Sequence, residues 1–457
     1  MLNGCFRSSL KNMKSKLNTI RFTRLIVGIL CYAWWGIGTS LAQGYNENEW
    51  IFGNCSTGDH PYLSFGKGAV ASVQTLPASI LNGADNNAIA IDPITGQPLF
   101  YTNGELVYNY SGSPIEGSAP GLNGNFQGRQ TVATGFLEYN PNGNKLFYIF
   151  YLSLTGQLQY ALVDMNAPGQ ATGNEPPLGQ ITSKNQVIGS AQGAVLVVKT
   201  QSSPSYLISF SGGSLQARRL ENTAGSFTLT GTRGIPIEPS SMVFDEGLGQ
   251  LLLLPKNPGE DIFLAPFDTA TGSFGNPQAL SNSGGAGPIY GADFSPNGAY
   301  IYFSRGDQLL RIPTNFPDAT PEEIPLEATL TQVYDLKVGP DGSLYYLYEE
   351  VVGGPQIVGR ITNPNESSLT TLVVEEDPFT GADFCGRVFP IFAPNVTIDP
   401  TIDFSWDPEA PCANNPVQLT SEISPPNYQA LSFLWVFSPP LSDADGNPLP
   451  ADFNQEH

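Results

Sequence analysis

Six short turns recur at nearly constant spacing through the middle of this 457-residue chain, and they limit its fold more than any other feature. Four are well formed. They run Asp92-Pro93-Ile94-Thr95-Gly96 before Leu99-Phe100-Tyr101, and Asn140-Pro141-Asn142-Gly143 before Leu146-Phe147-Tyr148. The later pair runs Ser295-Pro296-Asn297-Gly298 before Tyr300-Ile301-Tyr302-Phe303, and Gly339-Pro340-Asp341-Gly342 before Leu344-Tyr345-Tyr346. Proline presets φ at the second turn position, and a following Asn-Gly or Asp-Gly accepts the left-handed conformations that tight hairpins use. Weaker copies precede Val195–Val198 and Leu251–Leu254. With Gly96, Gly143, Gly193, Gly249, Gly298 and Gly342 as anchors, the spacings are 47, 50, 56, 49 and 44 residues. A period near 50 with about four strands per unit is the pattern of a β-propeller.

Composition agrees. The 49 Gly and 39 Pro make long helices improbable, and 40% hydrophobic residues are too many for a disordered chain. The reading is therefore all-β: six units over roughly residues 85–380, with the two ends sharing a closing blade. That gives a seven-bladed propeller, with six or eight as the alternatives. The closing blade is expected to combine Trp50–Asn54 and Tyr62–Phe65 with Arg387–Phe392. Cys55 and Cys385 sit at these two ends, where a disulfide would staple the ring.

Residues 1–42 read as a secretory signal peptide. Arg7, Lys11, Lys14, Lys16, Arg21 and Arg24 precede the apolar stretch Leu25–Gly38, and Ser40-Leu41-Ala42 is a small-x-small cleavage site before Gln43. Removing those six cations moves the net charge from −21 to −27. So acidic a chain repels nucleic acid and anionic lipid, and no membrane-spanning segment is expected after cleavage. The location implied is secreted or outer cell surface. Residues 43–392 form the propeller region, and residues 393–457 a second one. In the latter, Ile402–Trp406, Pro411–Leu419 and Leu431–Phe437 alternate in polarity like the first strands of an Ig-like sandwich. Too few strands follow to close one, so this domain is expected to be truncated, with Cys412 lacking its partner.

Chemistry is sparse at the sequence level. Of two histidines, His457 is the last residue and His60, in Gly58-Asp59-His60-Pro61, reads as an exposed loop residue, so neither a Ser-His-Asp triad nor a zinc site is indicated. No nucleotide-binding motif occurs. Acid doublets stand at Glu322-Glu323, Glu349-Glu350 and Glu375-Glu376-Asp377, but adjacent strand residues face opposite ways, so solvated edges are the expected place for them. The aromatic runs Phe147–Tyr151 and Tyr345–Tyr348 are expected to pack between blades rather than stack on sugars. Asp443, Asp445 and Asn447 offer alternate oxygen ligands around Gly446, a calcium candidate, although Asn454 stands where an EF-hand loop has its bidentate Glu, which favours a plain turn. No other cofactor is indicated.

The motifs Trp50-Ile51-Phe52-Gly53-Asn54, Leu99–Gly104 running to Asn109, Tyr160–Met165, Phe267–Gly272 with Asn276-Pro277, and the Ser295–Gly298 turn together resemble the large secreted β-propeller proteins of gliding, type IX-secreting bacteria. The pattern Pro411–Val417 with Phe433-Leu434-Trp435 resembles a PKD-type Ig-like domain. The resemblance implies a surface or released protein used in adhesion, with no catalytic residues to carry over. The leading expectation is thus a non-enzymatic binding or adhesion platform that holds an unidentified protein or glycan ligand at the propeller mouth. The alternatives are a carbohydrate-active hydrolase or lyase using paired carboxylates, and a structural spacer in a surface assembly. Two acids about 5–10 Å apart in the channel would favour the enzyme.

Overall fold

The computed structural model describes residues 47–53, 60–65, 71–76, 85–92, 96–139, 143–172, 176–199 and 204–394, together with the backbone of four later strands. Seven sheets, six antiparallel and one mixed, make up the ring, which is a seven-bladed β-propeller. Blade 1 holds Glu49–Ile51, His60–Ser64 and Ser72–Leu76. Blade 2 is built on Ala88–Ile91, blade 3 on Val132–Tyr139, blade 4 on Gln192–Val198, blade 5 on Pro239–Asp245, blade 6 on Ala292–Phe294 and blade 7 on Gln332–Val338. From blade 2 to blade 7 each of these first strands contacts that of the next blade, so they form the inner wall of the ring.

Local chemistry explains the hairpins. Five of the six anchor glycines adopt positive φ, with Gly298 at 69° and Gly342 at 75°, where a side chain would be strained. The strands that follow these turns form the blade centres and are buried on both faces. Leu251–Leu254 and Phe147–Tyr151 are fully enclosed, which leaves none of those aromatic rings free to stack on a ligand. His60 begins the second strand of blade 1 instead of lying in a loop.

Closure differs from the shared blade expected. The N-terminal segment makes blade 1 by itself, whereas Ile391–Phe392 pairs in parallel with Ala88–Ile91 and becomes the innermost strand of blade 2. A hairpin would force antiparallel pairing, but chain ends brought together without a turn are free of that constraint. Aromatic packing places the C-terminal segment. Trp50 is fully buried with Phe65, Phe389 and Tyr345 at 4.7, 4.9 and 5.3 Å between ring centroids, and Phe384 lies 5.0 Å from Phe52. Seated there, the segment runs on until the Ile391 amide donates to the Asn87 carbonyl at 3.0 Å. Ala393, the first residue past the expected end of the propeller region, is buried and its amide donates to the Ile89 carbonyl.

Cys385 is disulfide-bonded. Its expected partner Cys55 lies outside the described residues, as do Ala42, Gln43 and the calcium candidates Asp443, Asp445 and Asn447. Beyond the ring, Thr401–Asp407 pairs with Gln418–Ser424 and Leu434–Trp435 with Phe453–Asn454. Among the described residues no helix is long and apolar enough to cross a membrane.

Candidate active site at the central channel

Side chains from blades far apart in sequence converge where the inner strands begin. Arg129, just before the first strand of blade 3, reaches blade 6, where its Nη1 donates to the carbonyls of Ile289 and Tyr290 at 3.1 and 3.2 Å. Its guanidinium lies 4.0 Å from the Tyr290 ring centre, and that ring meets Tyr334 of blade 7 at 5.3 Å. Arg387, from the C-terminal segment, donates to Asp85 Oδ2 at 2.9 Å. Burial lowers the Arg129 pKa, partly offset by Tyr290, Asp335 and Asp85. The Nε of Arg129 and the Oδ1 atoms of Asp85 and Asn86 are buried with no hydrogen-bond partner. Buried polar atoms are nearly always satisfied, so such a concentration of orphans marks a polar site.

Two carboxylates lie on the inner strands of adjacent blades. Asp335 Oδ1 accepts from its neighbour Leu336 N at 2.9 Å, and Oδ2 from Phe389 N at 2.8 Å. Asp293 Oδ1 accepts from Phe294 N at 2.8 Å, and Oδ2 from Val338 N at 2.7 Å. Each acid thus satisfies an amide beyond its own blade and keeps spare lone pairs. Desolvation outweighs these bonds: it pushes Asp335 up to about 7 and Asp293 up to about 6. Lys337 lies between them electrostatically, is raised by Glu47, Asp293 and Asp335, and pairs with Glu47 at 3.4 Å. The anchoring amides of Leu336 and Val338 are two residues apart on one strand, a separation of about 7 Å.

The acid doublets of the sequence do not form this pair. Glu322 binds Arg311 at 2.8 Å, Glu323 accepts from Gln308 at 2.9 Å, and Glu375 pairs with Arg360, all on or beside outer strands. Glu349 is buried and hydrogen-bonded to Tyr334, while Glu350 is exposed. A surface cleft of about 320 Å³ opens elsewhere, on the rim, and no carboxylate lines it.

Sequence reasoning missed Arg129, Tyr290, Asp293, Tyr334, Asp335, Lys337 and Arg387. A signal was present for some of them. Tyr290 and Tyr334 both stand eight residues before a turn glycine, and Asp293 and Lys337 five before, so successive repeats place them at the same depth.

No protein-family model matches the chain, and no curated protein matches it significantly. Solved structures do resemble it. A protein from Lactobacillus plantarum shares 12% identity over 75% of this chain and 99% of its own, with a TM-score of 0.47. A structure described as a 6-phosphogluconolactonase from Bacteroides fragilis shares 10% over 75% and 98%, with a TM-score of 0.45. The periplasmic gluconolactonase of Pseudomonas aeruginosa shares 12% over 72% and 96%, also at 0.45. The expected non-enzymatic platform is corrected on this point. Structures described as 6-phosphogluconolactonase and gluconolactonase stand among the similar ones, and two buried carboxylates, Asp293 and Asp335, lie on adjacent inner strands. Likeness at this level transfers no activity, so the case for chemistry rests on the channel residues themselves.

Proposed function

We propose that the chain is an exported propeller enzyme, a hydrolase or lyase acting on carbohydrate through Asp335 and Asp293. The observation that supports this reading is the pair of carboxylates on neighbouring inner strands, raised to about 7 and about 6 and each accepting from an amide of the strand Gln332–Val338. Burial raises both carboxyls toward neutrality, which suits groups that give and take protons near pH 7; Asp335, the more strongly raised, is assigned as the general acid and Asp293 as the general base. In hydrolysis Asp335 gives its proton to the leaving oxygen as the glycosidic C–O bond breaks. Asp293 takes a proton from the water whose oxygen bonds to that carbon. Arg129 and Arg387 present N–H groups to substrate oxygens at the mouth.

The test is turnover of aryl glycosides, uronate-containing oligosaccharides and sugar lactones by the full chain and by Asp335→Asn and Asp293→Asn. Loss of a general acid lowers the rate by roughly 10²–10⁴-fold. No turnover of any of the three classes, or turnover that both variants keep, refutes the assignment.

A further inference from the structure

The outer strand of blade 3, Gln180–Ser190, has three register shifts against Gln157–Asp164, and Asn185 within it adopts φ 58°. Bulges re-aim side chains and are common beside functional sites. This one is built in. Asn185 N donates to Tyr151 Oη at 2.7 Å, and the Tyr151 hydroxyl donates to Asn185 Oδ1 at 2.9 Å, which ties the bulge to the blade core. Beside it lies the rim cleft of about 320 Å³, between the outer strands of blades 3 and 4 and lined by Tyr160, Gln186, Val187, Arg218, Gly225 and Phe227 among others.

The lining is ordered before any ligand arrives. Phe227 is backed by Tyr160, Tyr148 and Phe150 at 5.4, 5.5 and 5.7 Å, all tilted or edge-on, which holds its ring in place. Val187, 58% exposed, extends the apolar surface. Arg218 is fixed by Nη1 to Ser209 Oγ at 3.1 Å and Nη2 to Gln216 Oε1 at 2.6 Å, and Gln186 by Nε2 to Lys184 O at 2.9 Å. Arg218 Nε, Gln186 Oε1 and the Tyr160 hydroxyl have no bond to the described residues, so a donor, an acceptor and a group that is both remain available. The lining offered to a ligand is mainly these fixed planar polar groups over a packed aromatic floor, and such groups are complementary to the hydroxyl edges of a sugar ring. The volume is at the small end of ligand pockets, enough for one or two rings. With Arg218 its one charged side chain and no acid, the cleft disfavours cationic ligands.

We propose that this cleft is a carbohydrate-binding subsite, separate from the channel, that holds a short neutral or uronic glycan against the rim of blades 3 and 4. Saturation-transfer NMR of the full chain with cellotriose, xylotriose, maltotriose and chitotriose tests it. At least one trisaccharide binds, Phe227→Ala and Arg218→Gln each weaken that binding by tenfold or more, and Asp335→Asn leaves it unchanged. Should Phe227→Ala misfold, Tyr160→Phe, which removes only the hydroxyl, takes its place with an expected threefold or greater loss. The proposal falls if none of the four sugars binds, if binding survives in both cleft variants, or if Asp335→Asn abolishes it. Because Asp335→Asn is included, failure of the channel assignment and failure of this one give different results.

Discussion

Replacing Asp335 by Asn tests whether desolvation governs the channel. The folded protein raises this carboxyl from its ordinary 3.8 to about 7, so ionising it costs more in the folded state than in the unfolded one. The neutral acid is therefore the form that favours folding: its contribution is fully present below about pH 4 and is lost as pH rises through about 7. At 1.36 kcal/mol per pKa unit the swing is at most about 4 kcal/mol. Asn removes this ionisation but accepts only one of the two amides, Leu336 or Phe389, and the orphaned N–H costs about 1–3 kcal/mol at every pH. The variant should consequently be less stable than the parent by about 1–3 kcal/mol below pH 4, a deficit that shrinks by about 1.4 kcal/mol per pH unit from there to about pH 7 and is gone or reversed by pH 9. Urea or thermal denaturation of both proteins at half-unit steps from pH 5 to 9 measures the difference. If the two curves stay parallel across the range, Asp335 does not ionise in this window and the acid–base assignment loses its basis.

Three further outcomes follow from the packing. Trp50→Ala removes the ring on which both chain ends pack and should cost about 3–5 kcal/mol, with faster amide exchange at Glu49–Ile51 and Ile391–Phe392; exchange unchanged at both strands would show that the ends close the ring without it. Arg311, fully buried, binds Glu322, lies 4.4 Å from the Tyr300 ring and donates to the carbonyls of Glu366 and Ser367 at 2.6 and 2.8 Å. Arg311→Met should therefore destabilise by about 3–5 kcal/mol, and denaturation midpoints within 0.5 kcal/mol (about the effect of a neutral surface change) would contradict the contacts. A Cβ on Gly124 would stand 2.0 Å from the Gly104 carbonyl oxygen, so Gly124→Ala should cost more than about 2 kcal/mol; an unchanged melting point would mean that this loop yields freely.

Much of the blade structure was legible because it is local. The Ser295–Gly298 and Gly339–Gly342 turns carry their own φ preferences, and strands such as Leu251–Leu254 announce burial on both faces by being apolar throughout. The acid doublets were legible for the same reason. Adjacent side chains on a strand diverge, as expected, and exposed Glu322 and Glu323 each found its own partner on an outer strand. The acids that do come together, Asp293 and Asp335, are 42 residues apart and stand in otherwise ordinary inner-strand runs.

What the sequence alone determined was the repeat and the hairpins, since turn chemistry and side-chain alternation act over a few residues. Only the tertiary structure decided that Ile391–Phe392 would line blade 2, that Arg129 would cross to carbonyls 160 and 161 residues away, and that Arg387 would meet Asp85 over 302. Those contacts come from closing a ring. The desolvation that raises Asp335 and Asp293 exists only after the inner strands have gathered around them, because burial belongs to the assembled channel and to no stretch of chain within it.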